Sequence, residues 1–178
     1  MRRPVRLITG AAAVGVALLV ALLVGGLGRS STFDPVAVLG RPAPADVLPG
    51  LDGGQVDLAG LRGTAVLVNF WNSWCQPCQQ EAPALAAFYA RHAGEPEFAM
   101  IGVVHDDTTA AVSRWVTTHD IGWRVALDPG NAAALDFGTT GQPETYAISP
   151  SGVVVAKRAG PATVEDLERL LSMARGTS

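Results

Sequence analysis

Cysteine is almost missing from this chain of 178 residues, which has only two, Cys75 and Cys78. A zinc site needs about four ligands. No second Cys-x-x-Cys follows, and His92, His105 and His119 are scattered beyond the pair, so the sequence supplies no metal site. Lysine occurs once and the net charge is −3, so the chain lacks the basic footprint that nucleic acid requires. Nucleic acid is excluded as a partner. The length allows one domain of ordinary size once the N-terminus is set aside.

The two cysteines stand three apart in Trp74-Cys75-Gln76-Pro77-Cys78, a spacing that random placement seldom produces. Before them, Ala65 to Trp71 is a β-branched and aromatic run that reads as a buried strand. After them, Gln79 to His92 carries Ala82, Leu85, Ala86 and Phe88-Tyr89 at helical spacing. Cys75 is therefore expected where a strand ends and a helix begins, with Pro77 in the first turn, where its missing N–H is harmless. Free N–H groups and the helix dipole at such a place stabilise a thiolate. This makes Cys75 the expected nucleophile and Cys78, one turn inward, the thiol that resolves a mixed disulfide. A purely structural disulfide is the competing reading, but it would close a loop of only four residues and constrain little.

Residues 1–6 carry Arg2, Arg3 and Arg6, and about 21 uncharged residues, 7–27, follow. At about 1.5 Å per residue that run spans roughly 31 Å, the thickness of a hydrocarbon core. The expected organisation is a basic cytoplasmic tail (1–6), a transmembrane signal anchor (7–27), a tether (28–40) and a folded domain (41–178) on the extracytoplasmic side. A cleaved signal peptide is the alternative, although no Ala-x-Ala site closes the run. Arg2-Arg3 also matches the start of a twin-arginine signal, a pattern that commonly does no more than set topology.

Leu48 to Leu58 reads as two extended segments around a Gly-rich turn, and Glu97 to Val104 as a second buried strand ending in His105-Asp106-Asp107. His105 lies at the rim of the sheet that carries the cysteines; a lone histidine there is either a modulator of the site or a solvated loop residue. Ala110 to His119 has helical spacing, Trp123 to Leu127 reads as a short strand, and Asn131 to Phe137 as a helix stopped by Gly138. Strands at Thr145 to Ile148 and Val153 to Arg158 flank a Ser-Pro-Ser-Gly turn. Thr163-x-x-Asp166 opens a last helix to Arg175. The core order is β-α-β-α-β-β-α.

Phe70-Trp71-Asn72-Ser73-Trp74-Cys75-Gln76-Pro77-Cys78 resembles the active-site segment of the thioredoxin superfamily, and in particular its membrane-tethered TlpA/ResA/CcmG (DsbE) branch. The likeness runs from about Gly40 to Arg175. It implies a thioredoxin-like α/β fold, a central mixed β-sheet flanked by helices, with an N-terminal β-hairpin extension and one transmembrane helix. It also implies a redox-active Cys75–Cys78 disulfide with Trp74, Gln76 and Pro77 around it, and no cofactor.

Asn69 stands where cytoplasmic thioredoxins have a buried aspartate. By spacing alone Glu81 is an exposed first-turn acid that complements the helix dipole. The resemblance instead makes it a partly buried acid that raises thiol pKa values and relays a proton for Cys78. An X–Pro bond is cis only about 5–6% of the time. Even so, the match of Gly141-Gln142-Pro143-Glu144-Thr145 to the family's cis-proline segment implies a cis Pro143 opposite the cysteines, with the backbone of Gln142 free to pair with an extended client. Glu144 follows the CcmG-like pattern and is either a tuner of partner choice or a solvated strand-start acid.

The resemblance implies a reductase of oxidised Cys-x-x-Cys-His in apocytochrome c, supplied with electrons by a CcdA- or DsbD-like membrane protein. An oxidant that makes disulfides is the rival within the same chemistry, weakened because Gln76 is neutral where such oxidants carry a histidine. A copper-binding assembly factor on the same fold is the rival from another class. Such factors space their cysteines one residue wider. A third rival, an interaction module without catalysis, sits poorly with two intact active-site thiols.

Overall fold

Strand β3 (Ala65–Trp71) is buried along its whole length, as its run of β-branched and aromatic residues requires. It lies at the centre of a five-stranded sheet in the order β5-β4-β3-β6-β7, where β4 is Phe98–His105, β5 Arg124–Asp128, β6 Glu144–Ile148 and β7 Val154–Ala159. β3, β4 and β5 run parallel, whereas β6 pairs antiparallel with both β3 and β7, so the sheet is mixed. The computed structural model describes residues 38–177. The expected basic tail and transmembrane anchor, and nearly all of the tether, lie outside them. Among the described residues no helix is long and apolar enough to cross a membrane.

Alternation along β3 sends its residues to two cores. Val66, Val68 and Phe70 join Tyr146, Ile148, Ile101 and Val103 on one face. That face is covered by helix α3 (Ala132–Asp136) and by a short antiparallel pair, β1 (Val47–Pro49) with β2 (Gln55–Asp57). Ala65 and Leu67 point the other way, toward Leu85 and Phe88 of helix α1 (Gln76–His92) and Leu167, Leu170 and Leu171 of helix α4 (Val164–Arg175). Helix α2 (Thr109–Thr118) inserts Val112 and Trp115 against Trp71 and the cysteines.

The last helix opens as its sequence requires: Thr163 Oγ1 accepts the Asp166 N–H at 3.2 Å, and an Asp166 oxygen accepts the Thr163 N–H at 3.1 Å. Helix α1 begins at Gln76, directly after Cys75 and with Pro77 in its first turn as expected, and it continues through Pro83, an exposed residue of its second turn. The fold departs from the expected order at one point. One βα unit more than the expected core order is present, because β5 and α3 extend the sheet as a full edge strand and its helix.

The tryptophans around the end of β3 close over Gly102 of β4. A side-chain carbon placed there would fall 2.6 Å from Trp71 Nε1 and 3.2 Å from Trp123 Nε1. Gly102→Ala should therefore destabilise the domain by about 2 kcal/mol, the usual effect of overpacking a filled core. Urea denaturation reads this directly, and an unchanged midpoint would show that the tryptophans yield without strain.

Candidate active site

β3 ends at Trp71, and four residues later Cys75 takes the N-cap position of α1 in extended conformation. The polypeptide between is tied to the loop that follows β4. The Asn72 side-chain amide donates to the His105 carbonyl, the Ser73 N–H to Asp107 Oδ2 at 2.7 Å, and the Trp74 indole N–H to the Asp106 carbonyl at 3.0 Å. Asp106 adopts φ 52° to present that carbonyl. These bonds leave the Trp74 ring 59% exposed beside Gln76 and Pro77, both of which are also exposed.

Cys75 and Cys78 form a disulfide with Cα atoms 5.2 Å apart. Cys75 is 5% exposed and Cys78 1%, so both are buried, Cys78 the more completely. The Cys75 sulfur accepts the backbone N–H of Cys78 at 3.1 Å, in the role that an oxygen plays at an ordinary N-cap. When the pair is reduced, that N–H and the helix dipole favour a thiolate on Cys75. Among the described residues no group of three or more His, Cys, Asp or Glu side chains is arranged to hold a metal ion.

Below Cys78, Glu81 is 2% exposed, so the exposed first-turn reading is set aside. Its Oε1 accepts from the Asn69 amide at 2.9 Å and its Oε2 from the Ala162 N–H at 2.9 Å. Asn69 in turn donates to Thr145 Oγ1 at 3.0 Å, so β3, β6 and the segment before α4 meet at this acid. Burial pushes the Glu81 carboxyl up to about 7, against the opposing pull of the Ala162 N–H, the Asn69 amide and the Arg158 charge.

The Gln142–Pro143 bond is cis. Because Glu144 pairs with Phe70, Pro143 comes level with the end of β3, at the rim of the sheet where the cysteine loop begins. The Gln142 amide donates to His105 Nε2 at 2.6 Å, which joins the loop before β6 to the last residue of β4. His105 thus bridges two elements of the site rather than standing as a solvated loop residue.

Glu144 is 2% exposed and faces away from Asn69, Thr145 and Glu81, so it is neither the expected solvated strand-start acid nor part of the surface beside Cys75. Its Oε2 lies 2.8 Å from Lys157 Nζ and accepts the Tyr146 hydroxyl at 2.8 Å, while Oε1 accepts from Thr140 Oγ1 at 2.8 Å. Burial, with the Glu144 charge adding to it, pushes the Tyr146 phenol well above its ordinary range. The chain's one lysine, set beside Arg158 in the strand Val154–Ala159, was the available signal for this pair.

The raised Glu81 carboxyl makes a testable demand on stability. Its pKa is about 4.5 unfolded and about 7 folded, so the native state binds more protons between those values. Stability is then greatest below about pH 4.5 and falls as the pH rises through 7, by on the order of 3 kcal/mol for this one group. In Glu81→Gln that fall should vanish from denaturant midpoints measured across the window. A variant that keeps it would place the titration elsewhere.

Comparisons with known proteins agree with this geometry. Residues 39–157 match the AhpC/TSA family. Thiol-disulfide oxidoreductase ResA of Bacillus thuringiensis subsp. konkukian is 32% identical over 133 residues, 75% of this chain and 76% of that protein. A thiol:disulfide interchange protein DsbE homologue of Paracoccus denitrificans is 38% identical over 139 residues, covering 74% and 72% of the two chains. The solved thiol:disulfide interchange protein of Chlorobium tepidum superposes with a TM-score of 0.68 at 29% identity, over 75% of this chain and 94% of that one. With its thioredoxin-like mixed sheet and its Cys75–Cys78 pair at the head of a helix, the chain belongs to the AhpC/TSA family, among thiol–disulfide oxidoreductases of the ResA and DsbE kind.

Proposed function

We propose that this thiol–disulfide oxidoreductase is an extracytoplasmic reductase, held at the cell membrane by residues 7–27 with the domain from about residue 41 facing outward. Residues 1–6 form its cytoplasmic tail and 28–40 its tether. The observation that carries the reading is the arrangement of two cysteines at one helix N-terminus, with Cys75 receiving the Cys78 N–H and Cys78, the more deeply buried of the two, three residues before a buried acid.

The Cys75 thiolate attacks one sulfur of a client disulfide, forming a Cys75–client bond and releasing the first client thiolate. Cys78 gives its proton to Glu81 and attacks the Cys75 sulfur, which releases the second client thiolate and leaves the Cys75–Cys78 disulfide. Two electrons pass to the client. Glu81 suits this step because a carboxyl near 7 both accepts and returns a proton at neutral pH. The backbone of Gln142, before the cis Pro143, pairs with the extended client beside Cys75, and Trp74, Gln76 and Pro77 form the surface around the sulfur.

Outside the cytoplasm a reductase must be supplied with electrons from across the membrane, since disulfides persist there. A CcdA- or DsbD-like membrane donor fits that need. The oxidised Cys-x-x-Cys-His of apocytochrome c is the proposed client, taken from the resemblance of Phe70 to Cys78 and Gly141 to Thr145 to the TlpA/ResA/CcmG branch. The short antiparallel pair of β1 and β2 corresponds on this reading to the branch's hairpin extension.

Cys75→Ala should abolish reduction of a Cys-x-x-Cys-His peptide disulfide. Cys78→Ala should instead accumulate a covalent adduct with that peptide, seen by mass spectrometry and released by dithiothreitol. Turnover by the first variant, or no adduct with the second, would overturn the assignment of the two roles.

A further inference from the structure

The acid of β6 raises a separate question, because a charge buried on the side of the sheet away from the cysteines has no part in thiol exchange. Glu144 and Lys157 are almost fully enclosed, with side chains 3% and 10% exposed, and they lie 2.8 Å apart. Taking both charges out of water is expensive, and apolar residues of similar size stabilise a core as well or better. A buried pair of this kind is better explained by the geometry that it imposes.

That geometry converges on the loop Gly138–Pro143. Glu144 Oε1 accepts both the Thr140 hydroxyl at 2.8 Å and the Thr140 N–H at 3.3 Å. Lys157 Nζ donates to the Gly138 carbonyl at 3.3 Å, and the Tyr146 hydroxyl, which donates to Glu144, lies 3.3 Å from Thr139 Oγ1. At the far end the Gly160 N–H holds the Pro143 carbonyl at 2.9 Å. Every residue of the loop except Gly141 therefore has a tether, counting the bond from Gln142 to His105. Three of those tethers, at Gly138, Thr139 and Thr140, depend on the ion pair or on the tyrosine bonded to it.

We propose that the Glu144–Lys157 pair is a clamp that presets the Gly138–Pro143 loop for extended protein disulfides, acting on client affinity and not on the exchange chemistry at Cys75. The proposal rests on the reading of Gln142 as the client-pairing residue. Presetting a binding edge removes the ordering cost that a loose loop would impose on association. Small disulfides do not pair along the loop, so the clamp is irrelevant to them. Glu144 and Lys157 are positioning residues in this scheme, since neither reaches the reacting sulfurs.

The test compares two disulfides reduced by the pre-reduced full chain in mild detergent: an oxidised Cys-x-x-Cys-His peptide and bis(2-hydroxyethyl) disulfide. In Lys157→Met the ratio of second-order rate constants, peptide over small disulfide, should fall about tenfold, as expected when a charge-assisted contact is lost. The small-disulfide rate itself should hold, and Lys157→Arg should restore the ratio. Thr140→Val keeps the ion pair and removes one tether, so it should lower the ratio less, and it serves if Lys157→Met does not fold. An unchanged ratio in a folded Lys157→Met or Thr140→Val protein, or equal loss toward both disulfides, would overturn the clamp alone. A wild-type chain that reduces the small disulfide but not the peptide would overturn the client reading and the clamp with it.

Discussion

The N–H of Cys78 points at the sulfur of Cys75 from 3.1 Å because the strand before it is buried on both faces and must stop at Trp71, where the chain reaches the rim of the sheet. A helix starts five residues on, at Gln76, and its first unpaired N–H groups face the Cys75 sulfur. Without a strand so apolar, the helix N-terminus would not be brought to that rim. Without the helix, Cys75 would be an ordinary thiol. The reactive pair is thus a consequence of where an apolar segment ends, and the bonds from Asn72, Ser73 and Trp74 to the loop after β4 hold the connection in place.

Two carboxyls, Glu81 and Glu144, show how the faces of the sheet divide the work. Both are 2% exposed. Glu81 receives only an amide and a backbone N–H, with the Arg158 charge acting from further off, so burial prevails and its carboxyl rises to about 7. Glu144 has the Lys157 ammonium against it and two hydroxyls around it. The difference lies in the partners and not in the depth of burial. It assigns proton handling to the face that carries Cys78 and loop geometry to the other.

Much of this was legible in the residues themselves. The β-branched run at 65–71, the helical spacing after it and the Thr163–Asp166 cap are local patterns, and each formed as its chemistry requires. The meaning of Glu81 was not local: spacing placed it on the Cys78 face, but its burial comes from Ala162, which lies 81 positions away in the chain. Glu144 misled for the same reason, since its partner Lys157 belongs to the next strand and only the register of β6 with β7 brings them together. Asp106 and Asp107 read only as the end of a strand, and no sequence pattern marks them as supports for Trp74 and Ser73. Pairing across strands, rather than propensity along them, decides such positions.

The direction of electron flow is the central claim, and the reduction potential of the Cys75–Cys78 couple tests it most directly. Equilibration of the protein against glutathione or dithiothreitol buffers should give a value at or below about −230 mV, in the range of thioredoxin-like reductants. A value near −120 mV, about that of a strong disulfide oxidant, would reverse the assigned role and remove the apocytochrome reading.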